Sequence, residues 1–184
     1  KPYSDGWVQT MKNSMNFIAP HYTMRRMMDD YFDRFYTGLA ARSAHLHANG
    51  NKIARELVDW KRAVASEWDS LRIVSVEDSG NSSNVSNERY TGTHETIRLV
   101  LDKASLSCDL EVELVDAREE ADGKLRLVAK TPLRLVEKEG TKEVYELAFT
   151  QSRPGLYKRA IRIVPTHPEL PHRMDFALVR WVAL

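Results

Sequence analysis

The chain has 184 residues, of which 42% are hydrophobic and 29% are charged, and its formal net charge at pH 7 is +1. This composition is ordinary for a soluble globular protein, and the near-zero charge predicts no nucleic-acid partner, because nucleic-acid-binding domains concentrate positive charge. No apolar run approaches the ~18 residues of a membrane-spanning helix, so we expect no membrane partner.

The N-terminus predicts that the chain is a piece of a longer polypeptide. It begins with Lys1 instead of Met, and its opening Lys-Pro-Tyr-Ser-Asp-Gly-Trp has no core of its own. About three helices follow, at residues 7–17, 24–48 and 51–68, each with apolar residues at three- and four-residue steps. That spacing places the apolar residues on one face of each helix.

Local signals predict where these helices begin and end. Ser4 or Asp5 and Thr23 are candidate N-caps, because their side-chain oxygens can accept a hydrogen bond from a backbone N–H of the first turn. Pro20 ends the first helix, since the residue before a proline is disfavoured in helical conformation. Asn49-Gly50 ends the second helix, with glycine in the left-handed conformation.

After residue 70 the apolar period changes to two, which is the period of a half-buried strand. The segments with this alternation lie near residues 71–77, 97–101, 110–115, 125–128, 133–135, 144–149, 157–163 and 176–182. Residues 77–94 are rich in serine, asparagine and glycine and are predicted to form a long surface loop that carries Tyr90. One polar face on each strand favours antiparallel sheets over a parallel sheet.

We therefore predict an α+β fold with two domains. Residues 1–70 form a helical segment of about three helices, and residues 71–184 form an antiparallel, immunoglobulin-like β-sandwich of about seven or eight strands. The single cysteine, Cys108, excludes an internal disulfide. A chain without disulfides is typical of the reducing cytosol, so we expect a cytoplasmic protein.

The residues alone indicate no catalytic, cofactor-binding or metal-binding site. His45 and His47 lie two residues apart on a predicted helix and therefore point in very different directions. Cys108 precedes an alternating strand and has no basic neighbour in the sequence to lower its thiol pKa, so it is interpreted as a packing residue. The acidic residues 29, 30 and 33 are interpreted as helix-stabilising partners of nearby arginines.

Two further patterns have more than one interpretation. The first two helices carry Met11, Met15, Met24, Met27 and Met28. These methionines could pack an irregular core, form an adaptable binding face or contact a domain that precedes this chain. The four tryptophans could form a sugar-stacking platform, but Trp7, Trp60 and Trp68 lie on apolar helical faces, which favours burial in a core or at an interface. The strand face of Trp181 cannot be assigned from the sequence.

Three stretches resemble one enzyme family. Residues 11–36, Met-Lys-Asn-Ser-Met-Asn-Phe-Ile-Ala-Pro-His-Tyr-Thr-Met-Arg-Arg-Met-Met-Asp-Asp-Tyr-Phe-Asp-Arg-Phe-Tyr, are similar to the closing helices of the catalytic region in bacterial α-glucan (glycogen/maltodextrin) phosphorylases. Residues 52–68, with Asp-Trp-Lys at 59–61, and residues 170–181, Leu-Pro-His-Arg-Met-Asp-Phe-Ala-Leu-Val-Arg-Trp, resemble the same family. The three stretches bracket almost the whole chain, so the resemblance is to the C-terminal region of a bacterial subgroup with an extra β-domain.

The resemblance implies a parent enzyme that cleaves α-1,4-glucan with phosphate to release glucose 1-phosphate. Such enzymes use pyridoxal phosphate, bound to a lysine in a Gly-Thr-…-Asn-Met-Lys context. Lys12 lies in Met-Lys-Asn without the preceding Gly-Thr or a glycine-rich run, so it does not match that lysine. The resemblance thus assigns no catalytic, cofactor or metal residue to this chain and places the cofactor in the parent enzyme.

We accordingly predict a non-catalytic C-terminal fragment of an α-glucan phosphorylase that acts as a structural or accessory module. Its partner is the upstream catalytic domain of the parent chain, and the methionine-rich helical face is expected to be partly uncovered and to self-associate. One alternative is an α-glucan-binding module that uses Tyr90 or Trp181. The other is a β-sandwich for protein–protein interaction, supported by fold analogy alone.

Overall fold

The computed structural model describes residues 3–81, 91–152, 154–155 and 157–184, which divide into two compact units, Lys1–Glu56 and Leu57–Leu184. The first unit is helical. Helix α1 spans Asp5–Phe17, α2 spans Met24–Tyr31, and α3 spans Thr37–Glu67 and continues into the second unit. The predicted order of helices followed by sheet is confirmed, so the α+β class holds.

Both predicted N-caps are confirmed. Ser4 Oγ accepts a hydrogen bond from the Trp7 backbone N–H at 3.2 Å, and Thr23 Oγ1 accepts one from the Arg26 N–H at 3.2 Å. Each bond satisfies a backbone donor that has no partner within the helix. A short 3-10 turn that contains Pro20 follows α1.

Helix α3 is broken where the sequence predicts a helix end. Asn49, Gly50 and Asn51 have φ values of 50°, 66° and 65°. Glycine tolerates this left-handed conformation without a steric cost, and asparagine tolerates it better than most other residues. Arg55 donates a side-chain hydrogen bond to the Gly50 carbonyl, which gives this oxygen a partner across the break.

The prediction of one regular helix over residues 24–48 is wrong at a single turn. Phe32–Tyr36 forms a π-helical turn between α2 and α3. Thr37 Oγ1 donates a hydrogen bond to the Phe32 carbonyl at 2.9 Å across the widened turn. Apolar spacing at three or four residues cannot separate such a turn from a regular helix.

The second unit contains two antiparallel sheets of four strands each. Their orders are β1-β2-β6-β5 and β4-β3-β7-β8. The strands are β1 Arg72–Asp78, β2 His94–Asp102, β3 Asp109–Glu119, β4 Leu125–Pro132, β5 Arg134–Glu139, β6 Lys142–Thr150, β7 Lys158–Thr166 and β8 Arg180–Ala183. The last predicted strand, at residues 176–182, is shorter than expected, because its pairing with β7 begins only at Arg180. Residues 82–90 of the predicted loop, with Tyr90, lie outside the described residues.

Side chains from both sheets share one hydrophobic core. Ile97, Leu99 and Leu101 of β2 and Ile161 and Ile163 of β7 are each 0% exposed. They alternate with outward residues, as the period of two predicts. The end of α3 and the residues that follow it also belong to this core. Val64 of α3, Trp68 of the next 3-10 turn and Leu71 directly after that turn are all buried.

We expect the substitution Ile161→Ala to destabilise the protein by about 3 kcal/mol, because it removes buried methyl groups and leaves a cavity in a dense core. Urea unfolding followed by circular dichroism measures this free energy. The control is Val136→Ala on β5, where the side chain is 51% exposed, and its cost should stay below about 0.5 kcal/mol. Equal costs for the two variants would contradict the position of the shared core.

Candidate functional site

The helical unit exposes an unusual amount of apolar surface. Within residues 3–56 no side chain is buried. Its exposed large apolar side chains, here called the helical apolar surface, include Trp7, Met11, Met15, Ile18, Met24, Met27, Met28, Tyr31, Phe35 and Leu39. Exposure reaches 69% for Met15 and 62% for Met28. The expected uncovering of the methionine-rich face is confirmed. Trp7 is 56% exposed, so it is not buried in a core of this chain, and its burial at an interface stays a prediction.

Local contacts order this surface without covering it. The Tyr31 ring lies 5.8 Å from the Phe35 ring and 6.4 Å from the Tyr36 ring, measured between centroids. Asp30 forms ion pairs with Arg26 at 3.1 Å and with Arg34 at 3.8 Å. For Asp30, the predicted pairing with helix arginines is therefore confirmed. Exposed pairs of this kind contribute little to stability.

Two of the stretches that carry the family resemblance meet in the second unit. The Trp60 ring packs 4.8 Å from the His167 ring and 5.3 Å from the Phe176 ring. Lys61 Nζ donates a hydrogen bond to the Asp175 carbonyl at 2.9 Å. Trp60 and Lys61 of the Asp-Trp-Lys string thus attach the end of α3 to the segment before β8.

A cleft of about 470 Å³ lies beside this contact, at one end of the sandwich. Its lining includes Trp60, Lys103, Cys108, Glu143 and His167. A cleft with an aromatic ring and buried charged groups has the composition of a small-molecule site. The lysine and glutamate side chains that line this cleft are bound to one another.

Glu143 is the centre of a closed ion-pair network. Its carboxylate binds Lys103 Nζ at 3.2 Å, Lys138 Nζ at 3.0 Å and the Tyr145 hydroxyl at 2.8 Å. Burial acts to raise the pKa of Glu143, but these three donors outweigh it and lower the pKa below its usual value. Burial and the adjacent Glu143 carboxylate raise the pKa of Tyr145. Near neutral pH, Glu143 is therefore ionised and Tyr145 is protonated.

Cys108 contacts the same network through its backbone carbonyl, and its thiol is buried. Lys103 donates a side-chain hydrogen bond to the Cys108 carbonyl, so the chain does supply a basic neighbour, contrary to the sequence interpretation. Burial nevertheless dominates and raises the pKa of the Cys108 thiol to about 11. A thiol with this pKa is protonated at neutral pH and is a weak nucleophile.

A second buried network joins the two sheets. Arg159 on β7 binds Glu95 on β2 at 2.6 Å and Asp116 on β3 at 2.9 Å. Its guanidinium also donates to Gln151 at 2.6 Å and lies 5.2 Å from the centroid of the Phe149 ring. The Arg159 and Glu95 side chains are 5% and 1% exposed, so this network is a structural link between the sheets. Nothing in the local sequence distinguishes Arg159 from the other strand arginines.

A third cluster lies on the outer surface of the β4-β3-β7-β8 sheet. Glu113, Arg162 and Trp181 occupy opposed positions on three neighbouring strands. The Arg162 guanidinium lies 5.6 Å from the centroid of the Trp181 ring and binds Glu113 at 2.6 Å. Trp181 is 51% exposed. The structure therefore places the one tryptophan that the sequence left unassigned on the solvent side of its strand.

The remaining candidates do not form a site in the described part of the chain. His47 Nδ1 lies 2.7 Å from the Ser43 carbonyl oxygen, and no three His, Cys, Asp or Glu side chains among the described residues converge as a metal site. Lys12 is exposed on α1. The described helices include none with the length and apolar character needed to cross a membrane.

We expect Glu143→Gln to lower the free energy of unfolding by about 3 kcal/mol at pH 7, because it leaves the buried Lys103 ammonium without its carboxylate. Since folding lowers the pKa of Glu143 below its ordinary 4.5, the wild-type advantage is complete above that pH and declines as pH falls through the lowered pKa. Urea unfolding at several pH values between 7 and about 3 measures this trend.

Glu139→Gln is the matched control, because Glu139 is an exposed carboxylate on the neighbouring strand β5. Its variant should unfold like the wild type across the whole series. A stability deficit of Glu143→Gln that stays constant down to the lowest pH would contradict the proposed charge pairing.

Comparison with known proteins identifies the family. The family model described as glycogen phosphorylase C-terminal domain matches residues 68–183. The maltodextrin phosphorylase of Thermococcus litoralis is 28% identical over an alignment 185 residues long, which covers 95% of this chain and 20% of the relative. The glycogen phosphorylase of Mycobacterium tuberculosis is 23% identical over 175 residues, which cover 94% of this chain and 20% of the relative.

The chain thus spans about one-fifth of the length of the curated relatives that it matches. No solved structure matches it. The family match covers the whole β-sandwich, and the relatives extend the similarity over the helical unit. The resemblance seen in the sequence is confirmed, and the chain belongs to the family of glycogen phosphorylase C-terminal domains.

Proposed function

We propose that this chain acts as the structural C-terminal module of an α-glucan phosphorylase, without catalytic residues of its own. The helical apolar surface carries this proposal, because its large apolar side chains are exposed and no side chain is buried within residues 3–56. Its residue types, with Trp, Tyr, Phe and Met prominent, are those enriched at protein interfaces. The occupant that we propose is the catalytic domain that precedes this segment in the parent enzyme.

The length of the relatives supports that choice. This chain covers 20% of each relative, so four-fifths of a phosphorylase of similar length lies outside it. The relatives are named for maltodextrin and glycogen phosphorolysis, and we propose the same reaction for the parent: phosphate cleaves α-1,4-glucan and releases glucose 1-phosphate. The pyridoxal phosphate of that reaction is expected in the upstream domain.

Finer features of the fold belong to the same proposal. The match of the family model from residue 68 supports a functional boundary near residue 70, with a helical segment before it and the accessory sandwich after it. The sheet orders correspond to A-B-E-D and C′-C-F-G in immunoglobulin notation, which supports an immunoglobulin-like sandwich. The break in α3 separates the second and third predicted helices. The π-helical turn interrupts the second helix without ending it, and both features support a count of about three helices. A cytoplasmic location is proposed together with the function.

The first test is enzymatic. We expect the full-length product of the gene that encodes this chain to release glucose 1-phosphate from glycogen and inorganic phosphate in the presence of pyridoxal phosphate. The isolated 184-residue chain should release none under the same conditions. Turnover by the isolated chain would overturn the assignment as a structural module.

The second test addresses docking with two adjacent substitutions on α1. Met15→Asp and Asn16→Asp introduce the same charge, and both positions are exposed in the isolated chain. In the full-length product, Met15→Asp should lower the melting temperature by several degrees, because a buried unpaired carboxylate is costly. Asn16→Asp should change it little, and in the isolated chain both variants should melt like the wild type. Equal behaviour of the two variants in the full-length product would contradict docking through Met15.

The uncovered surface also predicts self-association of the isolated chain, because apolar patches of this size drive association in water. Light scattering should show an apparent mass that rises with protein concentration. Met28→Asp should reduce this rise, whereas Asn16→Asp should not. A monomer at all concentrations would contradict the prediction without affecting the docking proposal.

A further inference from the structure

The outer face of the β4-β3-β7-β8 sheet carries a second surface that the structural role does not use. Trp181 on β8 is opposed to Arg162 on β7, and Arg162 is opposed to Glu113 on β3. The residues on either side of Arg162, Ile161 and Ile163, are fully buried in the core. Alternation along the strand therefore directs Arg162 outward, together with its neighbours across the sheet.

The side chains of this surface are held in place before any ligand arrives. Glu113, whose side chain is only 3% exposed, accepts hydrogen bonds from both Arg162 and Arg173. Arg173 also binds Glu111 at 3.0 Å. We call Glu111, Glu113, Arg162, Arg173 and Trp181 the Trp181 platform. A ligand that binds there loses little affinity to the ordering of protein side chains.

The platform combines an aromatic face with polar groups that remain accessible. Trp181 is 51% exposed although its ring stacks near the Arg162 guanidinium. The side chains of Glu111 and Arg173 are 36% and 24% exposed. The indole thus offers a large, rigid, apolar surface. The Arg162 guanidinium lies beside it, and the Arg173–Glu111 pair supplies donors and acceptors further across the sheet.

The charge of the platform restricts the class of ligand. Its two arginines and two glutamates balance to zero, which disfavours a phosphate-rich ligand. An entirely apolar ligand is also disfavoured, because it would remove partly exposed charged groups from water without replacing their hydrogen bonds. A neutral molecule with one apolar face and a rim of hydroxyl groups satisfies both conditions, and a pyranose ring has this form.

We propose that the Trp181 platform is a surface subsite for α-1,4-linked glucan. One glucose ring stacks on Trp181, and hydroxyls of the same glucan chain bind the polar side chains further across the sheet, among which Glu111 and Arg173 are partly exposed. This inference rests on the proposed function, which supplies glucan as the polymer that the parent enzyme handles. A second, weak contact on the same polymer raises the effective concentration of chain ends near a catalytic site. Binding at one exposed aromatic residue is expected in the millimolar range.

The test has two measurements on the isolated chain. Isothermal calorimetry measures the binding of maltoheptaose, and retardation in native gels that contain glycogen measures the binding of the polymer. Trp181→Ala should weaken binding about tenfold or more, whereas Trp181→Phe should retain most of it because the aromatic face remains. Trp7→Ala is the matched control, since Trp7 is exposed to a similar extent at 56% and lies in the helical unit. Urea unfolding of each variant establishes that the fold is retained.

Absence of binding up to about 10 mM maltoheptaose, well above a millimolar dissociation constant, would overturn the inference. Unchanged affinity of Trp181→Ala would overturn it as well. A protein occupant gives a different pattern: Trp181→Ala would then lower the melting temperature of the full-length product, and the isolated chain would not bind sugar. If the full-length product phosphorolyses glycogen while the isolated chain ignores maltoheptaose, the glucan subsite fails and the proposed function stands.

Discussion

The common core of the two sheets is the constraint on which the other features of the second unit depend. Ile97, Leu99 and Leu101 face Ile161 and Ile163 across the sandwich without exposure to water. Because side chains alternate along a strand, a register that buries these residues must place their neighbours outside. A shift of one residue on β7 would bury Arg162 and expose isoleucines, so the core and the outer platform are consequences of the same register.

The buried charges of the sandwich are paired with one another at the edge of this core. Glu143 is bound by two lysines and a tyrosine, and Arg159 is bound by partners from both sheets. Such groups are costly to bury unless they are paired and hydrogen-bonded. In both networks these partners are other residues of the fold.

Two surfaces with different chemistry carry the interactions that we propose for this chain. The helical apolar surface is broad and rich in methionine and aromatic residues, which suits the burial of area against a protein partner. The Trp181 platform is narrow, balanced in charge and ordered by ion pairs, which suits a neutral polar ligand. The same residue type therefore has two roles: Trp7 belongs to a proposed docking surface, and Trp181 belongs to a proposed sugar subsite.

The sequence by itself determined the features that depend on near neighbours. The caps at Ser4 and Thr23, the break at Asn49-Gly50 and the change from helical to strand period after residue 70 were predicted, because each is encoded within a short run of consecutive residues. The family was predicted from the resemblance of three longer stretches, which needs no knowledge of contacts. The tertiary structure alone decided which distant residues meet. Arg159 and Glu95 are 64 positions apart in the chain, and the outward face of Trp181 follows from its pairing with β7. Local spacing carries no information on such contacts, since they follow from strand order and register, which are set by the packing of the whole core.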